Sequence, residues 1–122
     1  MPSAAAMTIS LFGASSALIG TNNLLSPTSA LASLDLPSTA IAASNGLSLA
    51  AIAMGIYYSL AAYQDNRPFF VLTVPMRLLT ATVFWAQGDA WRLPAVWEGG
   101  GALFTLGALI WDRSSRASMR AR

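Results

Sequence analysis

Four apolar runs, at residues 4–20, 45–63, 68–88 and 94–111, carry only two charged side chains between them, Arg77 and Glu98. Runs of about 17–25 apolar residues are what a helix needs to cross a hydrocarbon layer of about 30 Å. Across all 122 residues only 10% are charged, while 55% are hydrophobic. A soluble domain carries about a quarter charged residues, so this surface cannot be clothed for water. The expected fold is all-α: one domain over residues 1–122, an integral membrane four-helix bundle. Disorder is excluded, because there is ample apolar surface to bury.

The run at 4–20 is short. It lacks the preceding basic residue and the following small-residue cleavage site of a secretory signal, so a retained helix ending near Gly20 and Asn22-Asn23 is expected. The second span is expected to start at a Ser44-Asn45-Gly46 cap and to close at Gln64-Asp65-Asn66. The third starts on Pro68, a residue suited to a first helical turn. The fourth is expected to stop at Asp112-Arg113. Residues 29–36 suggest a short interfacial helix in the first connection. The other connections are very short, which predicts antiparallel neighbours. Within the second span, Ala51, Gly55 and Ser59 form a small-residue stripe that reads as close helix packing. The run Gly99-Gly100-Gly101 implies either a helix that begins after it or a close approach of another group.

An even number of spans places both ends of the chain on one side. That side carries Arg67, Arg113, Arg116, Arg120 and Arg122, and the other carries only Arg92. The excess of positive charge predicts that both termini are cytosolic, with the endoplasmic reticulum as the expected membrane. Trp85, Trp91 and Trp97 fall near the opposite face, as an aromatic belt would. A net charge of +2 with a short basic tail points to lipid and not to nucleic acid.

The chain has no cysteine, histidine or lysine. Thiolate, imidazole and Schiff-base chemistry are thereby excluded. What remains is Asp35, Asp65, Asp89, Glu98 and Asp112, the arginines, and three tyrosines. Arg77 is central in its span, where a charge costs about 2.5–3.5 kcal/mol or more. It shares a helical face with Thr73, Thr80, Phe84 and Gln87, so a polar stripe should point into the bundle. Pro75 removes a backbone hydrogen bond beside it, and together they suggest a polar cavity. The bland alternative is an arginine paired with a carboxylate to hold the bundle together.

Three carboxylates are candidate partners for Arg77. Glu98 ranks first because it lies inside an apolar run; Asp65 and Asp89 sit at opposite rims. Desolvation favours one carboxyl as an acid while an arginine keeps a second one ionised, which separates acid from base without histidine. Such a pair can open a strained epoxide with neither metal nor cofactor. In this reading Glu98 and Asp65 or Asp89 divide the acid and base roles, Arg77 holds a carboxylate and orients water, and Tyr58 assists at the epoxide oxygen. Tyr57, Thr73, Thr80, Gln87 and Trp97 would line the substrate.

The strings Met54-Gly55-Ile56-Tyr57-Tyr58, Asn66-Arg67-Pro68-Phe69-Phe70, Val74-Pro75-Met76-Arg77-Leu78 and Trp97-Glu98-Gly99-Gly100-Gly101-Ala102 carry a resemblance. Over roughly residues 22–112 the chain resembles small four-span membrane proteins of filamentous fungi, of the type assigned as epoxide hydrolases in citreoviridin- and aurovertin-type pathways. Some of these are encoded beside polyketide synthases and flavin monooxygenases. The resemblance implies hydrolytic or cyclising opening of a hydrophobic polyketide epoxide supplied by a monooxygenase; it brings no catalytic position with it. The rival expectations are a non-catalytic membrane subunit, a small metabolite transporter, and a terpene-type cyclase. Four short helices enclose little volume, so a long substrate would call for a homo-oligomer.

Overall fold

The computed structural model describes residues 2–122. They form five helices: α1 (Ala4–Leu25), α2 (Pro27–Ser33), α3 (Ile41–Tyr63), α4 (Arg67–Ala86) and α5 (Arg92–Arg120). Short 3-10 turns precede α3 and α5, and no strand occurs among the described residues. All but α2 are long and apolar enough to cross a membrane. Large apolar side chains such as Leu18, Leu72, Leu79 and Phe104 point outward, leaving the kind of surface that lipid covers.

Helix ends follow local chemistry. The Ser3 hydroxyl accepts from the Ala6 N–H at 3.1 Å, and the Asn66 side chain accepts from the Phe69 N–H at 3.2 Å. Pro68 then occupies the first turn of α4, where its missing N–H costs nothing. Asp65, at φ 48°, and Gly88, at φ 111°, turn the chain out of α3 and α4 through left-handed backbone.

Several boundaries differ from those expected. Helix α1 runs past Gly20 to Leu25, because Gly20 is spent on packing: a Cβ there would lie 2.7 Å from the Ser48 carbonyl oxygen on α3. Ser44-Asn45-Gly46 lies inside α3 and caps nothing. Helix α5 passes through the three glycines without a break and continues beyond Asp112 to Arg120. The side chain of Asp112 has other work. Its two oxygens accept from the Ala4 and Ala5 N–H groups at 3.1 and 3.0 Å, so it caps α1 from the far end of the sequence.

The spans pack around α1. It lies along α3 over most of its length, and its other side meets α5 and, more lightly, α4. The predicted small-residue stripe makes the first contact. A Cβ on Gly55 would lie 2.6 Å from the Gly13 carbonyl oxygen, and the Ser16 hydroxyl donates to the Ala51 carbonyl at 2.7 Å. Gly55→Leu should therefore push the two helices apart, at a cost of about 1–3 kcal/mol or more. Gly46→Leu, inside the same helix with nothing near its Cβ, should instead raise the unfolding midpoint in detergent slightly, by the roughly 1 kcal/mol of helix propensity that glycine lacks.

Helices α4 and α5 are close neighbours, as their short connection predicts. Helices α3 and α4 are not, although only three residues join them: their backbones scarcely approach each other. Helix α3 is held by α1 instead, and α4 by α5. The gap is bridged by side chains, with Tyr58 and Phe69 in an edge-to-face contact at 5.1 Å between ring centroids.

One end of the molecule gathers the start of α1, the α3–α4 turn and the charged part of α5. There Ser3 donates to Asp65 at 2.6 Å, Arg116 lies 3.8 Å from Asp65, and Arg67 lies 3.6 Å from Asp112. At the opposite end Asp89 pairs with Arg92 at 3.1 Å.

Candidate active site

Midway along α4, Arg77 turns inward and is only 2% exposed. A guanidinium cannot face lipid cheaply, so the fold surrounds it. Its Nη1 donates to the Thr105 hydroxyl at 3.3 Å. Its Nε lies 3.9 Å from a carboxylate oxygen of Glu98, near enough for attraction but too far for a hydrogen bond. Its Cζ sits 3.8 Å above the centre of the Phe12 ring, a cation–π contact. Nε and Nη2 are buried without any acceptor.

The reason for Gly101 is now visible. A Cβ at this position would collide with Arg77 Nη2 and would meet Phe12 at 3.0 Å. The guanidinium is held in a slot with the Phe12 ring on one side and the bare α5 backbone on the other. Gly100 has nothing within 4 Å and Gly99 meets only Ala81. Of the two readings of the glycine run, close approach is the correct one, and it rests on one glycine of the three.

Thr105 is itself oriented. The Thr8 hydroxyl donates to the Ala5 carbonyl at 2.8 Å and lies 3.0 Å from Thr105. With the Thr8 proton so used, Thr105 donates to Thr8 and keeps its lone pair for Arg77. Glu98, Thr105 and Asp112 recur every seven residues along the buried face of α5, which is how one helix serves both the site and the α1 cap.

An aromatic wall completes the site. Phe12 stacks on Trp97 at 4.3 Å and meets Tyr58 at 5.4 Å. The Trp97 indole N–H donates to Ser15 at 3.2 Å. Tyr58 is buried in the same aromatic cluster and is linked to Arg77 through Phe12, the ring on which the guanidinium rests.

The structure brings together Arg77, Glu98, Tyr58 and Trp97 from the expected set, all buried or half-buried; Thr73 is buried one turn before Arg77, its hydroxyl donating to the Phe70 carbonyl at 2.7 Å. It separates the others. Asp65 is at the arginine-rich end, held by Ser3 and Arg116. Asp89 is at the opposite end, its side chain 89% exposed beside Arg92. The two-carboxylate division of acid and base is therefore not built: Glu98 is the one carboxylate beside Arg77. Tyr57 is 64% exposed and faces outward, since its neighbour Tyr58 takes the inward position. Thr80 is half-buried and donates to its own helix at Met76, and Gln87 is exposed at the helix end. Trp97 leaves the expected belt and turns inward, while Trp85 remains on the surface beside Arg92.

Two residues of the site were not foreseen: Phe12 as the platform for Arg77 and Thr105 as its hydrogen-bond acceptor. Phe12 lies in an uncharged run where nothing distinguishes it; the signal available was the helical spacing of Thr8, Phe12 and Ser15 on α1.

Two hollows open on the surface away from the site, and neither reaches Arg77 or Glu98. A groove of about 670 Å³ between α1 and α3 is lined by Ala6, Ser10, Ser59, Tyr63 and Asp65, among others. A shallower one of about 370 Å³ lies beside Trp85 and Val96. Arg77 and Glu98 are enclosed, at 2% and 5% exposure, and the wet hollow expected around them is neither of these two.

Fold and site together define an all-helical protein with four helices suited to a membrane and a buried arginine–carboxylate pair at their centre. Comparison with known protein families, with curated proteins and with solved structures finds no match to this chain.

Proposed function

We propose that the chain is an integral membrane enzyme that opens a hydrophobic epoxide, by addition of water or of a hydroxyl group of the substrate itself. The observation that carries this reading is the pairing of Glu98 with an arginine whose Nε and Nη2 lack acceptors, inside an aromatic enclosure. In this scheme the Glu98 carboxylate takes the proton of the attacking O–H as the new C–O bond forms. The epoxide C–O bond breaks, and its electron pair stays on oxygen. Arg77 N–H and Tyr58 O–H groups support that oxygen, which then receives the proton from Glu98. One carboxylate serves in both directions, and the charge that develops falls where the free donors are. The arginine-rich end faces the cytosol, and the membrane is that of the endoplasmic reticulum, where a monooxygenase would supply the epoxide.

The test is turnover of a polyene epoxide by microsomes carrying the protein. Glu98→Gln should lower the rate by about 10²–10⁴-fold, the usual worth of a general base. Unchanged turnover in both Glu98→Gln and Arg77→Met would defeat the reading.

A second reading is favoured by the enclosure of Arg77, which neither hollow reaches. A non-catalytic membrane subunit needs only that the pair hold α4, α5 and α1 together. It predicts no turnover by the purified wild-type protein, and loss of a partner enzyme from membranes that lack this chain.

A further inference from the structure

The site is closed on three sides by backbone packing and on the fourth only by side chains. Helix α1 covers it from within the bundle, and α4 and α5 pack directly on each other. Between α3 and α4 the backbones part, and the rings of Tyr58 and Phe69 fill the space. Phe69 is half-buried and Tyr58 is buried behind it. Tyr58 in turn touches Phe12, the ring on which Arg77 rests. Ring contacts therefore run unbroken from half-buried Phe69 through Tyr58 and Phe12 to the guanidinium.

At the end of this chain of rings Arg77 carries two donor nitrogens, Nε and Nη2, that have no acceptor on a side chain almost wholly buried. Buried donors of an ionised group left without an acceptor cost more than ordinary ones. They call for an oxygen. Glu98 sits 3.9 Å away, so a second anion there would be repelled, and the oxygen should belong to an uncharged molecule.

We propose that the gap between α3 and α4 is the passage by which an uncharged, mostly apolar molecule dissolved in the bilayer reaches Arg77, where its carbonyl or ether oxygen accepts from Nε and Nη2. Rotation of the Tyr58 and Phe69 rings opens the passage, and such side-chain motion is fast compared with catalytic turnover. This extends the epoxide-opening reading by naming the class and route of its substrate, but it stands on binding alone.

The test is photolabelling of the whole chain in phosphatidylcholine nanodiscs. One probe is a long-chain alkyl ketone bearing a diazirine; the other is a hydrocarbon of equal length bearing the same diazirine and no oxygen. The ketone should label Tyr58, Phe69 and Thr73 at least fivefold more than the hydrocarbon does. Phe69→Trp should reduce that labelling at least threefold, and Phe69→Ala should raise it, with labelling of outward residues such as Leu79 unchanged throughout. Equal labelling by the two probes, or no response to either Phe69 variant, would overturn the proposal. If Phe69→Trp loses its helix content, Phe69→Ala decides alone. Ketone labelling in a protein that turns over no epoxide would leave the passage standing and remove the enzyme reading.

Discussion

Gly101→Ala is expected to unseat Arg77 and to destabilise the protein by about 1–3 kcal/mol, the usual cost of forcing one extra carbon into a filled site. The new methyl group would take the place of Nη2 and press on Phe12. Neither yields easily, because Phe12 is stacked on Trp97 and Arg77 has no other buried acceptor to turn to. Gly100→Ala, one residue away, should do the reverse. Its Cβ meets nothing, so the variant gains roughly 1 kcal/mol from helix propensity alone. Thermal unfolding in detergent, followed by helical circular dichroism, compares the two directly. Destabilisation of equal size in both would mean that the glycines serve the helix and not the arginine.

The second large effect concerns the ion pair. Arg77→Met should cost about 3–5 kcal/mol, since it strands Glu98 as a buried charge without its partner. Glu98→Gln should cost less, because Arg77 keeps Thr105 and the Phe12 face. The double variant should recover most of the loss in Arg77→Met, as buried pairs replaced by neutral groups commonly do. A double variant no more stable than Arg77→Met would show that the two side chains act independently. The same double variant separates stability from chemistry: a folded double variant that has lost a turnover measured in the wild type points to an enzyme.

Much of the architecture could be read from residue order. The four spans, the turns at Gln64–Asn66 and Gly88, and the inward arginine all follow from runs of apolar residues interrupted by polar ones. Glu98 was identifiable as the partner of Arg77 because a carboxylate inside an apolar run must find a cation. The choice of neighbours was not legible. A three-residue turn implied that α3 lies along α4, yet α3 lies along α1, because Gly13, Gly20 and Gly55 allow a backbone approach that the bulkier faces of α4 do not. That unforeseen pairing places Phe12 under the guanidinium and leaves Tyr58 to span a gap. It also explains why Asp65 and Asp89 are absent from the site: each sits in a turn at the limit of its helix, and helix length alone keeps both away from the centre. Asp112 looked like an ordinary helix stop, since its real partners lie more than a hundred residues earlier in the chain.

That last contact bears on how the protein is made. The opening amides of α1 are made more than a hundred residues before the carboxylate that satisfies them. Until α5 has been synthesised, α1 holds its first turn with Ser3 alone, and its face toward α5 stays uncovered. Assembly within the membrane can therefore be completed only after α5 has been made, and a nascent chain stalled before Asp112 would present an unfinished first helix to whatever machinery inspects membrane proteins.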